Sequence, residues 1–153
     1  MENKSQQKKV LNLRRISKYA ILPKRSTEGS AGLDLYACIE KEILLNPSKK
    51  VFIPCGIAIS LPSNEYAAFI FARSGLGVKH GITLSNGVGV VDSDYRGEIG
   101  AGLINLGEEP YIIKPGDRIA QMVIMPVSCM PVIEVESLDD TERGSGGFGS
   151  TGK

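Results

Sequence analysis

The arrangement of short apolar runs, separated by turn sequences, is the feature that most constrains how this 153-residue chain can fold. In residues 33–39 the apolar side chains occupy every second position, as they do in a strand with one buried face. Proline, glycine and asparagine occur between the runs, where they favour turns. The runs predicted to form strands are residues 33–39, 51–53, 56–61, 66–72, 99–106, 111–113 and 119–127.

The sequence shows no pattern that predicts an amphipathic helix. No segment of a dozen residues repeats apolar side chains with the 3.6-residue period of an amphipathic helix. Many short strands with turns between them indicate an all-β fold, either a sandwich or a double-sheet barrel. At 153 residues the chain is expected to form one domain. Residues 66–72 are apolar on both faces, which predicts burial on both sides of that strand, as at a subunit interface.

Charge and composition exclude several classes of protein. The formal net charge of +1 is too low for the basic field that drives non-specific nucleic-acid binding. No apolar run approaches the ~20 residues of a membrane helix, so neither nucleic acid nor membrane is expected as a partner. With His80 as the single histidine, a zinc site of three histidines is excluded. Cys38, Cys55 and Cys129 lack metal-ligand spacing, and we expect buried free thiols in a cytoplasmic protein.

Four short polar segments interrupt the β pattern. The first, residues 31–37, contains Asp34 on the strand face opposite the leucines, where a solvent-exposed acid is common. The second, residues 73–77, directly follows an apolar strand and begins with Arg73. A cation, a hydroxyl and exposed backbone N–H groups at a strand end can bind an anion, although a loop salt bridge explains the arginine equally well.

The third and fourth segments contain candidate recognition and catalytic groups. In residues 86–98, the amide of Asn86 can both donate and accept, as recognition of a pyrimidine edge requires. Asp92 follows a buried strand and is a candidate general base for water, with a plain turn as the alternative for this acidic stretch. In residues 116–121, Gln121 is surrounded by apolar strand residues. A buried glutamine needs hydrogen-bond partners, such as phosphate or metal-bound water.

The glycine-rich C-terminal segment, residues 142–153, has too little apolar surface to fold by itself. It nevertheless contains Arg143, which can bind a phosphate through two hydrogen bonds, and Phe148, which can stack on a base. We interpret the segment as a lid that orders over a nucleotide, with a disordered tail as the alternative. The chain is therefore divided into a disordered basic N-terminal arm at residues 1–9, an all-β domain at residues 10–137 and a flexible C-terminal lid arm at residues 138–153.

Together these segments resemble the trimeric, all-β branch of the dUTP diphosphatase (dUTPase) family. Its motifs occur in order as AGLDLY at 31–36, RSGLG at 73–77, NGVGVVDSDYRG at 86–97, GDRIAQ at 116–121 and RGSGGFGSTG at 143–152. The resemblance covers about residues 10–152. It implies a jelly-roll-like double-sheet β-barrel of the β-clip type and a homotrimer with shared active sites. It also implies hydrolysis of dUTP to dUMP and pyrophosphate with Mg²⁺, which keeps uracil out of DNA and supplies dUMP for thymidylate synthesis.

The resemblance also implies roles for individual residues. Asp92 would activate the water that attacks the α-phosphorus, Asn86 would read the uracil edge, and Tyr95 would pack under the deoxyribose and exclude a 2′-hydroxyl. Mg²⁺ would be held by the triphosphate and waters, without a direct protein ligand. Asp34 and Asp117 would support the site and the subunit contacts. The other residues implied to bind substrate are Arg73, Ser74, Gly75, Gly89, Val90, Val91, Gly100, Gln121, Arg143, Phe148, Gly149, Ser150 and Thr151.

Two other functions are compatible with these features. A deoxycytidine triphosphate deaminase of the same fold would need a glutamate acting on the cytosine amine, where this chain has DSDY at residues 92–95. A non-catalytic nucleotide-binding or regulatory module would need neither Asp92 nor the motif of the C-terminal arm. Release of pyrophosphate from dUTP in the presence of Mg²⁺ distinguishes all three.

Overall fold

The computed structural model describes residues 9–147, and within that range the chain forms ten β-strands and one short α-helix. This confirms the all-β fold. The elements in chain order are β1 (Asn12–Arg15), β2 (Leu33–Tyr36), β3 (Ile43–Leu45), β4 (Lys50–Ser60), β5 (Tyr66–Phe71), α1 (Ser74–His80), β6 (Ile82–Leu84), β7 (Gly89–Val91), β8 (Ile99–Asn105), β9 (Tyr111–Ile113) and β10 (Arg118–Pro126).

Two four-stranded antiparallel sheets enclose the hydrophobic core. Their strand orders are β1-β4-β8-β6 and β2-β10-β5-β7, and β3 and β9 form a separate two-stranded sheet. Strand β8 shows how the sequence pattern produces this layering, because Ile99, Ala101 and Leu103 are at most 2% exposed while the residues between them are half-exposed. Ile70 and Met122 of the other sheet belong to the same core cluster. The double-sheet architecture is therefore confirmed.

Strand β4 joins two runs that the sequence pattern predicted as separate strands. Pro54, expected to mark a turn, lies inside β4 where its pairing with β8 shifts between Pro54 and Ile57. Proline is tolerated at such a bulge, so the prediction of two strands was wrong. Gly56 adopts a φ of 70°, and a Cβ atom there would lie 2.6 Å from the Sγ atom of Cys38. Only glycine fits this bulge without a rearrangement.

Helix α1 was not predicted, because its seven residues are too few for a helical period and include two glycines. The expected loop of exposed N–H groups is partly replaced by helical hydrogen bonds, since the N–H groups of Leu76 and Gly77 donate to the Arg73 carbonyl at 3.1 and 3.0 Å. The helix ends at Gly81, which is left-handed with a φ of 69°. A Cβ atom at Gly81 would lie 2.3 Å from the backbone nitrogen of Gly107.

Asn105 is a fully buried polar residue that connects the two-stranded sheet to the core. Its Nδ2 donates to the carbonyl oxygens of Leu45 and Glu109 at 2.9 and 2.8 Å, and its Oδ1 accepts the N–H of Gly107 at 2.8 Å. Since its amide is hydrogen-bonded at both ends, its burial carries little penalty.

The three cysteines are free thiols in different environments. Cys55 is 1% exposed, and burial raises the pKa of its thiol to about 12, with the Glu98 carboxylate and Cys38 adding to the shift. Cys38 is half-buried. The expectation of a buried thiol was wrong for Cys129, which is exposed because it lies beyond β10, the last strand of the core.

Residues 127–147 follow β10 and contain neither strand nor helix. Several of their apolar side chains lie outside the core, and Val132 and Leu138 are 98% and 83% exposed. The division into arms at residues 9 and 138 remains a prediction. Across residues 9–147, no helix has the length and apolar character needed to cross a membrane.

Candidate active site

Most of the predicted site residues lie in two separate clefts. The first, which we call the β7 cleft, has a volume of about 260 Å³ and is lined by Phe52, Ile70, Asn86, Gly89, Val90, Val91, Asp92, Tyr95, Glu98, Ile99 and Gly100. The second, which we call the Arg73 cleft, has a volume of about 320 Å³ and is lined by Ser26, Ser30, Ala31, Gly32, Asp34, Arg73, Ser74, Gly75 and Gln121.

The β7 cleft is built around a short edge strand. Strand β7 pairs with the earlier strand β5, in a register that places Gly89 opposite Ile70. A Cβ atom at Gly89 would lie 3.0 Å from Ile70 Cβ, so glycine allows the two strands to approach here. Asn86 is exposed in the turn before β7. Within residues 9–147 its side-chain amide makes no hydrogen bond, which leaves its donor and acceptor available to a ligand.

Asp92 and Tyr95 are held by the turn that follows β7. The Tyr95 N–H donates to the Asp92 carbonyl at 3.2 Å, and the Tyr95 hydroxyl donates to the Glu98 carbonyl at 3.1 Å. A Cβ atom at Gly97 would lie 2.2 Å from the Tyr95 hydroxyl oxygen, so glycine is needed for the ring to occupy this position. Asp92 is exposed, and its carboxylate has no hydrogen-bond or ion-pair partner among residues 9–147. The turn therefore fixes the backbone and leaves the carboxylate free.

The β7 cleft is also lined by Phe52, a residue that is 64% exposed. Its ring lies over Gly100, where a Cβ atom would come within 2.3 Å of Phe52 Cζ. Any side chain at position 100 would thus displace the ring or fill the cleft. This observation gives a structural reason for the glycine predicted at the site.

The Arg73 cleft is organised by the buried carboxylate of Asp34, which is 8% exposed. Its Oδ1 accepts a hydrogen bond from Arg73 Nε at 3.1 Å, and its Oδ2 accepts from Ser26 Oγ at 3.0 Å and from Arg118 Nη1 at 3.2 Å. The alternative of a solvent-exposed acid was wrong for Asp34. Arg73 therefore both forms a salt bridge and lines the cleft.

A β-bulge in β10 determines which of its side chains lie beside the Arg73 cleft. Pairing with β2 shifts between Arg118 and Ala120, so that Gln121 lies opposite Asp34 while Arg118 lies opposite Tyr36. Bulges redirect side chains in this way beside functional sites. Gln121 Nε2 donates to the Ala72 carbonyl at 3.0 Å. One of the hydrogen-bond partners predicted for this glutamine is therefore a backbone carbonyl of the protein.

Two predicted residues lie in neither cleft, and others are outside the described residues. Asp117 Oδ2 accepts the Lys114 N–H at 2.8 Å and closes the turn before β10. Arg143 is exposed, and its Nε donates to the Gly146 carbonyl at 3.0 Å. The predicted residues that lie outside the described range are Phe148, Gly149, Ser150 and Thr151.

The residues in or beside the two clefts that sequence reasoning missed include Ser26, Phe52, Glu98 and Arg118. Glu98 and Arg118 lie within the polar segments 86–98 and 116–121, so their charge could have indicated a place at the site. Ser26 and Phe52 lie outside those segments and carried no such signal. Among residues 9–147, no group of three or more His, Cys, Asp or Glu side chains is arranged to hold a metal ion.

Comparison with known proteins agrees with this architecture. The family model described as dUTPase matches residues 18–152. A deoxyuridine 5′-triphosphate nucleotidohydrolase of Desulfitobacterium hafniense (strain DSM 10664 / DCB-2) is 54% identical over 131 residues, which cover 86% of this chain and 87% of that protein.

Solved structures show the same likeness. The Staphylococcus bacteriophage 80alpha dUTPase with dUPNHPP is 27% identical, with a TM-score of 0.81 over 94% of this chain and 99% of that one. A mutant dUTPase from phage phi11 of S. aureus, described with a structural Mg(II) ion, is 25% identical, with a TM-score of 0.75 over 84% of this chain and 97% of that one. From its sequence match and its fold, the chain belongs to the dUTPase family.

Proposed function

We propose that this protein hydrolyses dUTP to dUMP and pyrophosphate. The observation that carries the proposal is the β7 cleft, which is lined by an amide, a carboxylate and an aromatic ring from the turns on either side of β7: Asn86, Asp92 and Tyr95. Within residues 9–147 the amide and the carboxylate have no side-chain partner. The D. hafniense relative named for this activity, and the phage enzyme bound to a dUTP analogue, support the choice of substrate.

In this proposal the β7 cleft binds the deoxyuridine. The Asn86 amide reads the uracil edge together with backbone groups of Gly89, Val90, Val91 and Gly100, which line the same cleft. The Tyr95 ring lies under the sugar and leaves no space for a 2′-hydroxyl. Its hydroxyl bond to the Glu98 carbonyl supports this role, because it restricts the ring to one orientation.

Asp92 is proposed to act as the general base. Its carboxylate accepts a proton from water, the water oxygen bonds to the α-phosphorus, and the bond from that phosphorus to the α,β-bridging oxygen breaks. The products are dUMP and pyrophosphate. A general base must reach its proton without competing partners, and the free carboxylate of Asp92 within residues 9–147 supports this assignment.

The Arg73 cleft is proposed to hold the triphosphate. Arg73, Ser74, Gly75 and Gln121 line it, and the guanidinium of Arg73 donates through Nε and Nη1, leaving Nη2 without a partner within residues 9–147. Fixed cationic donors of this kind stabilise phosphate charge.

Mg²⁺ fits these clefts only when it is bound together with the substrate. The carboxylates of Asp34 and Asp92 line different clefts, and that of Asp34 already accepts three hydrogen bonds. Mg²⁺ retains waters and takes phosphate oxygens readily, so the triphosphate and waters would hold it and it would neutralise phosphate charge. The Mg(II) ion described for the phi11 enzyme is compatible with a role for this metal.

A complete site is proposed to require three copies of the chain. The two clefts are separate in one subunit, and Arg143 lines neither of them. We propose a homotrimer in which the C-terminal arm of one subunit closes over the cleft of another, with Arg143, Ser150 and Thr151 on the terminal phosphate and Phe148 and Gly149 over the uracil. In the cytoplasm such an enzyme would keep uracil out of DNA and supply dUMP for thymidylate synthesis.

The test is incubation of the purified protein with dUTP and Mg²⁺, with chromatography of the nucleotides and a separate assay for pyrophosphate. We expect equimolar dUMP and pyrophosphate, and no ammonia from dCTP in a parallel reaction. Ammonia release from dCTP would indicate the deaminase, and binding of dUTP without turnover would indicate a non-catalytic module. Either result would refute the proposed function.

A further inference from the structure

Arg118, the first residue of β10, contacts both members of the ion pair that organises the Arg73 cleft. Its Nη1 donates to Asp34 Oδ2 at 3.2 Å, and its backbone carbonyl accepts a hydrogen bond from Arg73 Nη1 at 3.1 Å. Arg118 does not line the cleft itself. Its side chain is 48% exposed, and it is connected to the cleft through its contacts with Arg73 and Asp34.

The charge of the cluster depends on this second guanidinium. Arg73 and Asp34 alone form a neutral pair, with side chains 24% and 11% exposed, and a neutral pair attracts a polyanion weakly. Arg118 adds a positive charge on the second oxygen of the same carboxylate, so the three side chains together carry +1. Ser26 donates to that oxygen as well but contributes no charge.

The same contacts restrict the Arg73 guanidinium. Nε is bound to Asp34 and Nη1 to the Arg118 carbonyl, which fixes the guanidinium plane with two hydrogen bonds. The bulge between Arg118 and Ala120 is what places this carbonyl and this side chain at Asp34. A guanidinium held in this way loses little conformational freedom when it binds a phosphate.

We propose that Arg118 is a positioning residue for phosphate recognition. It offsets the charge of Asp34, so that Arg73 presents an uncompensated positive charge to the β- and γ-phosphates of the substrate. The inference rests on the proposed function, because it takes the Arg73 cleft as the triphosphate site.

The experiment compares Arg118→Met with Arg118→Lys in the full-length protein. Calorimetry would measure the Kd for dUPNHPP and, separately, for dUMP, which lacks the β- and γ-phosphates. For Arg118→Met we expect the Kd for dUPNHPP to rise about tenfold, since loss of a charge contact costs on this order. This fold-change should be at least about five times the fold-change in the Kd for dUMP. For dUTP turnover, KM should rise with kcat changing less than about threefold, because binding rather than chemistry is affected. Arg118→Lys keeps the charge and should stay within about threefold of the unmodified protein in both Kd values.

Lys114→Met is the matched control, since it removes the same charge from the connection between β9 and β10. Lys114 forms an exposed ion pair with Glu42 at 3.7 Å and lines neither cleft, so both Kd values should be unchanged. If Arg118→Met does not fold, as judged by circular dichroism, Arg118→Gln takes its place, because glutamine keeps a donor for Asp34 without the charge.

Several results would overturn the role of Arg118: equal losses for dUPNHPP and dUMP, a lysine variant as impaired as the methionine variant, or an unchanged KM. If the unmodified protein releases no pyrophosphate from dUTP, the proposed function fails instead, and the two failures are thereby distinguished.

Discussion

At the residue scale, the side chains of the two clefts differ in how much of their hydrogen bonding the protein already uses. Asn86 and Asp92 have no side-chain partners within residues 9–147, whereas Arg73 and Gln121 are bonded to protein groups. Free groups suit the steps in which a base is read and a proton is moved. Groups fixed in advance suit the recognition of phosphate, where orientation provides most of the advantage. Under the proposed function, the arrangement separates chemistry from electrostatic binding.

Asp92→Asn should reduce kcat by at least ~10²-fold while substrate affinity changes only a few-fold, because asparagine keeps the shape of the side chain but cannot accept the proton. Steady-state kinetics with dUTP and Mg²⁺ give kcat, and calorimetry with dUPNHPP gives the affinity. Asp94→Asn is the matched control, since Asp94 lies two residues away and does not line the β7 cleft. Loss of turnover in Asp94→Asn with full activity in Asp92→Asn would show that the base has been assigned to the wrong residue.

Tyr95→Ala should reduce discrimination against ribonucleotides, because it removes the ring that is proposed to exclude a 2′-hydroxyl. The measurement is the ratio of kcat/KM for dUTP to that for UTP. Tyr95→Phe keeps the ring and loses only the bond to the Glu98 carbonyl, so most of the discrimination should remain. A ratio that Tyr95→Ala leaves unchanged would place sugar selection at another residue.

At the element scale, the strands with clear alternation could be predicted from the sequence, and the irregular elements could not. Strand β8 follows its alternation residue by residue. Three features depend on tertiary contacts that a local pattern does not contain: the bulge at Gly56, the bulge after Arg118 and helix α1. The first two position Cys55 in the core and Arg118 at Asp34, and the third directly follows Arg73. The motif residues of the site were predicted by resemblance, but their division between two clefts was not.

Gly81→Ala should destabilise the fold, because Gly81 ends α1 in a left-handed conformation and an added Cβ would lie 2.3 Å from the backbone nitrogen of Gly107. A strained non-glycine residue in this conformation costs ~1–3 kcal/mol, and the backbone contact adds to that cost. Urea unfolding would measure the change. Gly77→Ala is the control within the same helix, since its nearest atom would be 3.8 Å away, and it should be neutral or stabilising. Equal stability of both variants would contradict the structural role of Gly81.

At the scale of the whole molecule, the isolated chain exposes apolar side chains that a stable monomer would be expected to bury. Met130, Val132 and Ile133, which are close together in the sequence, are 78%, 98% and 77% exposed. Exposed apolar groups of this size mark interaction surfaces when they are contiguous with other apolar groups. Since the family resemblance implies three copies, we expect a trimer by light scattering, with or without nucleotide, because the surface must be covered in the empty protein too. A monodisperse monomer at micromolar concentration would contradict this assembly.

Removal of residues 138–153 should leave a folded, trimeric and nearly inactive protein. Residues 139–145 are exposed, so the melting temperature without ligand should change little. The deletion also removes Arg143 and Phe148, which are proposed to act once the triphosphate is bound and water is excluded. We therefore expect a large loss of kcat/KM for dUTP, with Arg143→Ala and Phe148→Ala each reproducing part of it. A truncated enzyme with a near-normal rate would mean that the arm takes no part in catalysis, whereas a large fall in melting temperature would mean that it contributes to the fold.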